Sequence, residues 1–229
     1  MKQVRSRGSA TTHPRYEDHE IERMCIDELQ KAGYLPDAPS PIRIDRFIEK
    51  RLGVTPEYLD LQPGLLGFTK FGPYGAETIV ISRTLGEDRD VVAQRRVRTT
   101  LAHEAGHALL HASLFDDPKR QMQVLFDKEH TDLSKVLCRD VVGSGEEPRK
   151  YNGAWWEFQA NRAMGSLLLP ESLFRQAAGP LLGIGLLDPV PTALTPEKKA
   201  DIEHALADLF DVNPVVARFR LSQLYPSIR

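Results

Sequence analysis

Apolar residues recur at intervals of three and four through most of this chain, and the places where that spacing breaks are short. Residues 16 to 32, "YEDHEIERMCIDELQKA", set Ile21, Met24, Cys25 and Leu29 on one helical face, and Gly33 follows as a stop. Ser40 and Pro41 have the character of an N-cap and a first helical position for "IRIDRFIEKRL", whose Ile44, Phe47, Ile48 and Leu52 line a second face before Gly53. Between 65 and 82 the pattern changes. "LLGFTKF" and the β-branched "ETIVIS" flank the turn-rich "GPYG" at 72 to 75, which predicts a hairpin leading toward the next helix.

From Val91 to Leu114 the helical period returns with no proline and one glycine, Gly106, and Val97, Leu101, Ala105, Ala108 and Ala112 form an inner face. "AWWEFQANRAMGSLLLP", 154 to 170, predicts a further helix ended by Pro170. The stretch 115 to 153 is polar, with the short apolar runs "MQVLF" and "KVLC" as candidate strands inside an inserted loop. Near the C-terminus, Thr195 with Pro196 and Asn213 with Pro214 each mark a helix start, and "LADLFDVNPVVARFRLSQL", 206 to 224, has a helix-turn-helix outline. The second of these helices has only Arg218 and Arg220 as cations, which is thin for holding several phosphates, so packing or partner binding is the preferred role over reading a duplex.

Composition narrows the classes. A chain of 229 residues, 41% hydrophobic and 27% charged, can bury one full core, so one globular domain with helical extensions is expected. A net charge of -2 and a pI near 6.4 give no general basis for a nucleic-acid or membrane-surface partner. The first fifteen residues carry Lys2, Arg5, Arg7 and Arg15 without an acid and without the apolar run of a secretory signal, and are read as a disordered basic arm. The longest apolar run, "GPLLGIGLL" at 179 to 187, is far too short to span a bilayer, and Cys25 and Cys138 make no disulfide framework. A cytoplasmic, soluble protein is the expectation. The organisation read from these patterns is 1–15 arm, 16–178 main domain with an insertion at 115–150, and 179–229 C-terminal helical extension.

The chemistry concentrates in "TTLAHEAGHALLHASL", 99 to 114. His103, Glu104 and His107 form H-E-x-x-H, and four residues of helix advance about 6 Å in roughly one turn, so both imidazoles face one point and can grip one cation. Glu104 projects beside that point, where it can deprotonate a bound water instead of ligating. A catalytic zinc site usually has three protein ligands, and His111, a further turn away, cannot converge on the same ion along a straight helix. It is read as a residue supporting the ligands from behind or, more plainly, as a packed helix histidine. Leu110 and Ser113 stand where a third ligand from a bend after the motif would need glycine and histidine.

Glu157 is the better third ligand. It lies on the following helix between Trp155, Trp156 and Phe158, where an unpaired carboxylate is costly and a metal removes the cost. Asn161, four residues on, can accept a hydrogen bond from a ligand imidazole and hold its ring. A second metal site from His130 and Cys138 has two ligands and no pattern, and is set aside. Tyr151 is either a second oxyanion donor or a surface tyrosine.

"RTTLAHEAGHALLH" followed by "EFQANRAMGSLLLP" resembles the ImmA/IrrE family of metallopeptidases, whose members share a histidine-motif helix and a downstream Glu-x-x-Ala-Asn helix ending in a Leu-Leu-x-Pro-like run. The C-terminal helical pair is similar to one that often follows in that family. This resemblance implies an α+β, zincin-like minimal metalloprotease fold, with His103, His107 and Glu157 as zinc ligands, other divalent cations remaining open, and Glu104 as general base. It also implies a protein substrate, typically a DNA-binding helix-turn-helix transcriptional repressor of a mobile-element or stress-response system. The separation of fifty positions from His107 to Glu157 departs from the family and marks 115–150 as the insertion. The strand "ETIVIS" is a candidate edge for an extended substrate segment. Two readings from other classes stay open on the sequence: a DNA-binding regulator with a structural metal, and a non-proteolytic partner-binding or toxin-antitoxin module.

Overall fold

The computed structural model describes residues 2–5, 12–72, 74–114, 135–138, 155–184 and 194–226. Capping chemistry sets several helix boundaries. Helix α1 (Asp18–Ala32) starts where the Glu17 N–H donates to the Glu20 carboxylate (3.0 Å), buries Ile21, Cys25 and Leu29, and ends at Gly33 in the left-handed region (φ 74°). The next segment departs from expectation. Helix α2 (Ile44–Phe47, continuing as a π-helix over Ile48–Leu52) begins after Arg43, not at Pro41. Ser40 does not cap it, because its hydroxyl donates to Ala38 O (3.1 Å), while the Ile42 carbonyl accepts from Ile44 N (2.9 Å) and from Arg98 Nη2 (2.8 Å). That long-range guanidinium contact holds 42 outside the helix.

Strands β1 (Lys2–Arg5) and β2 (Thr12–Arg15) pair antiparallel as a two-stranded ribbon, where the sequence reading had an arm without structure. A ribbon of two strands is marginal on its own in water. The main sheet has the order β3-β5-β4-β6. Strand β3 (Glu57–Leu59) runs parallel to β5 (Gly75–Ser82), and β4 (Gly67–Gly72) runs antiparallel to both β5 and β6 (Lys135–Cys138). The hairpin and the "KVLC" strand therefore stand where the sequence pattern put them. Strand β5 is not a wholly free edge, since Val80, Ile81 and Ser82 pair with β3.

Beyond the sheet come α3 (Arg83–Glu87), α4 (Val91–His111) with a 3-10 turn over Ala112–Leu114, α5 (Trp155–Leu168), α6 (Glu171–Leu181), α7 (Pro196–Phe210) and α8 (Pro214–Leu224). Three caps follow from side-chain oxygens: Asp90 accepts from Val92 N, Thr195 from Lys198 N and Asn213 from Val215 N. The result is an α+β fold, mostly helical, in which α4 lies between the sheet and α5. No described helix is long and apolar enough to cross a membrane.

Two glycines allow α4 to come so close to both neighbours. At Gly106 a Cβ would stand 2.9 Å from the Ala163 Cβ and 3.0 Å from the Ala160 carbonyl oxygen of α5. At Gly67 of β4 it would stand 2.7 Å from Thr100 Cγ2 of α4 and 2.8 Å from Val80 O. Strand and helix thus lie in near contact, and the inward residue two places along from Gly67, Thr69, faces Glu104.

The C-terminal helices belong to the same core. Ile202, Leu206, Phe210, Val216 and Leu221 are buried in one cluster with Ile21, Phe47, Leu101 and Phe174. Asp211 accepts from Arg95 Nε through its carboxylate (3.1 Å) and from Arg98 Nε through its carbonyl (3.0 Å), tying α7 to the start of α4. Arg220 is 2% exposed. It donates to Leu169 O and to the Glu22 carboxylate of α1, which also accepts from Ser166 Oγ and Glu171 N. One of the two cations that a duplex-reading helix would need is therefore consumed in the interior.

Replacing Arg220 with Met should destabilise the chain by about 3 kcal/mol in urea unfolding, because it leaves the largely buried Glu22 carboxylate without its cationic partner. A loss under about 0.5 kcal/mol, the size of an ordinary surface change, would mean that the C-terminal helices are an appendage. Gly106→Ala should lower the melting temperature despite its better helix propensity, since overpacking costs about 1–3 kcal/mol and the propensity gain is about 1 kcal/mol.

Candidate metal centre

His103 and His107, one turn apart on α4, point their Nε2 atoms toward Glu157 in the first turn of α5. His103 Nε2 is 3.0 Å from His107 Nε2 and 3.1 Å from Glu157 Oε2, and His107 Nε2 is 3.5 Å from the same oxygen. Both imidazoles are fully buried, and the Glu157 side chain is mostly so. Ligand atoms about 2.0–2.1 Å from one tetrahedral ion lie about 3.3 Å from one another, so this triangle has the size of a three-ligand metal site. Among the described residues these three form a group that could hold a metal ion.

Asn161, one turn beyond Glu157, accepts through Oδ1 from His103 Nδ1 (3.0 Å), which leaves the Nε2 of that ring facing the centre. His111 is not isolated: its Nδ1 lies 3.0 Å from His107 Nδ1, its Nε2 lies 3.2 Å from Gln159 Oε1, and its ring meets Trp155 edge-on at 5.4 Å. The crowd of apolar neighbours read around Glu157 is only partly real. Phe158 turns outward, 45% exposed, with the Arg162 guanidinium 4.9 Å from its ring centre.

Glu104 stands apart from the three. It is completely buried, its Oε2 accepts from the Thr69 hydroxyl at 2.8 Å, and its Oε1 has no hydrogen-bond partner among the described residues. Burial pushes its carboxyl pKa up, against the pull of His107, His103 and Thr69. Burial also opposes ionisation of Glu157, but hydrogen bonds and charge from the two histidines override it and hold that carboxyl well below the usual range. For His103 burial favours the neutral ring, yet Glu157, Glu104 and Asn161 outweigh it and raise the pKa. His111, buried and beside His107, is pushed down to about 3 and stays neutral. Two carboxylates in one site are thus driven in opposite directions: the histidines favour the anion at Glu157, and burial favours the protonated form at Glu104.

Every described candidate from the sequence is in this site: His103, Glu104, His107, Glu157 and Asn161. Tyr151 and His130 lie outside the described residues, as does most of 115–150. Thr69 and Gln159 were missed. Thr69 had a signal, being the polar member of the inward trio Gly67, Thr69 and Phe71 in an alternating strand. Gln159 had none of that kind, because its partner His111 is 48 residues away. The chain matches no protein-family model and no curated protein sequence, so the chemistry of the site is argued from its own atoms.

Removing the Glu157 carboxylate with Ala should abolish stoichiometric binding in a Zn2+ titration followed by calorimetry. Asn161→Ala should retain it with affinity about 10- to 100-fold weaker, the usual cost of losing a hydrogen-bond partner behind a ligand. Equal stoichiometry and affinity in wild type and Glu157→Ala would remove Glu157 from the ligand set.

Proposed function

We propose that this chain is a zinc-dependent endopeptidase of the zincin type, in line with its resemblance to the ImmA/IrrE metallopeptidases. The observation that carries the reading is Glu104. A buried carboxylate one residue from a ligand histidine, with one oxygen bound by Thr69 and the other unpartnered, is costly to a fold and useful to a reaction that transfers protons. A structural metal site has no need of it.

His103, His107 and Glu157 would hold the ion, which when bound polarises a carbonyl and lowers the pKa of water. Glu104 takes a proton from the attacking water at Oε1 and returns it to the nitrogen of the leaving amine as the C–N bond breaks. Its burial-raised pKa brings it nearer the working pH, which suits a group that must both accept and release a proton. Thr69 keeps Oε2 occupied, so the proton has one oxygen to use. Asn161 orients the His103 ring.

The substrate class is the one that the resemblance implies, a helix-turn-helix transcriptional repressor cut to release the genes it controls. The alternative of a DNA-binding regulator is weakened by Arg220, whose guanidinium is occupied by Glu22 and Leu169.

Glu104→Gln keeps the size of the side chain and removes the base. Metal binding and folding should survive, while peptide hydrolysis falls by orders of magnitude. Comparison of new protein N-termini in host cells expressing wild type or Glu104→Gln checks this and identifies the substrate. Cleavages confined to wild type support the peptidase. Identical N-termini in the two strains, under stress and in normal growth, with metal bound in both, would turn the reading toward a binding module.

A further inference from the structure

His111 is 1% exposed, and each of its ring nitrogens has a partner: His107 Nδ1 for one and Gln159 Oε1 for the other. A neutral buried imidazole has one N–H to donate and one lone pair to fill, and leaving either unmet costs free energy. The Gln159 amide oxygen can only accept, so His111 Nε2 carries the proton and donates to it across 3.2 Å. Nδ1 of His111 is then the lone pair. His107 Nδ1, 3.0 Å away, must donate to it, and His107 Nε2 is left bare on the side that faces His103 and Glu157.

We infer that His111 and Gln159 are positioning residues for the metal centre, holding His107 in its Nδ1–H tautomer so that Nε2 presents a lone pair. The inference rests on the metal-centre reading and not on the peptidase reading. Helix α5 then sets both ligand imidazoles from residues around Glu157: Asn161 acts on His103 directly, and Gln159 acts on His107 through His111. The opposite polarity of the same chain would be equally well hydrogen-bonded and would fail. Were the Gln159 amide nitrogen to donate to His111, the proton on His111 would move to Nδ1, His107 Nδ1 would have to accept, and an N–H would face the place of the cation. The orientation of one amide decides whether the pocket attracts a cation or repels it.

The test uses the full chain with 15N-labelled histidine, wild type, His111→Asn and His111→Phe. Asn places an acceptor oxygen near the position of the imidazole Nδ1, whereas Phe fills the space without one. In the metal-free wild type at alkaline pH, imidazole 15N spectra should show His107 as the Nδ1–H tautomer. His111→Asn should keep that tautomer and bind Zn2+ within a few-fold of wild type; His111→Phe should lose it and bind about 10- to 100-fold more weakly. A role in packing alone predicts the reverse order, with Phe the better tolerated in melting temperature and zinc affinity alike. A His107 Nε2–H tautomer in the wild type, or unchanged zinc affinity in His111→Phe, overturns the inference while leaving the metal centre standing. A wild type that takes up no zinc refutes the centre and the inference together.

Discussion

Three electron-pair donors are aimed at one buried point between α4 and α5, and that arrangement is unfavourable unless a positive charge joins them. The Nε2 atoms of His103 and His107 and the Oε2 atom of Glu157 lie 3.0 to 3.5 Å apart in a buried setting, where charges are weakly screened. In the absence of a cation a proton must serve, which is why the pKa of His103 rises although burial alone would lower it. Much of the surrounding structure makes this juxtaposition possible. Gly106 lets α4 approach α5 closely, Asn161 fixes one ring, and the buried faces of both helices anchor them in a single core.

The second half of the site comes from the sheet. Gly67 brings β4 against α4, and the next inward residue, Thr69, reaches Glu104. Helix α5 supplies Glu157 and Asn161 to the two imidazoles, and the sheet supplies Thr69 to the proposed base. A chain with only one of these supports would bind an ion or bury a carboxylate. With both, Glu104 is buried against Thr69 of the sheet and is not one of the three groups that could hold an ion, the arrangement on which the proposed general-base role rests.

Local features were legible and distant ones were not. Thr195 with Pro196 and Asn213 with Pro214 announce helix starts because a cap is satisfied within three residues of itself. The histidine pair is legible for the same reason, since helical geometry alone makes residues four apart converge. The start of α2 was misjudged because the Ile42 carbonyl is taken by Arg98, 56 residues along the chain. Arg220 looked like a cation available to a partner, and only Glu22, 198 residues earlier, shows that it is an internal one. The packing of the C-terminal extension was out of reach for a similar reason: the apolar faces of α7 and α8 carry no local sign that they share a cluster with α1 and α4.

The most direct test of the convergence of His103, His107 and Glu157 is a crystal structure of the zinc-soaked protein with anomalous data collected on both sides of the zinc edge. The account predicts one anomalous peak, about 2.0–2.1 Å from each of the two Nε2 atoms and about 2.0–2.2 Å from a Glu157 oxygen, with Glu104 outside the ligand set. No peak between α4 and α5, or a peak ligated by Glu104 in place of Glu157, would contradict it.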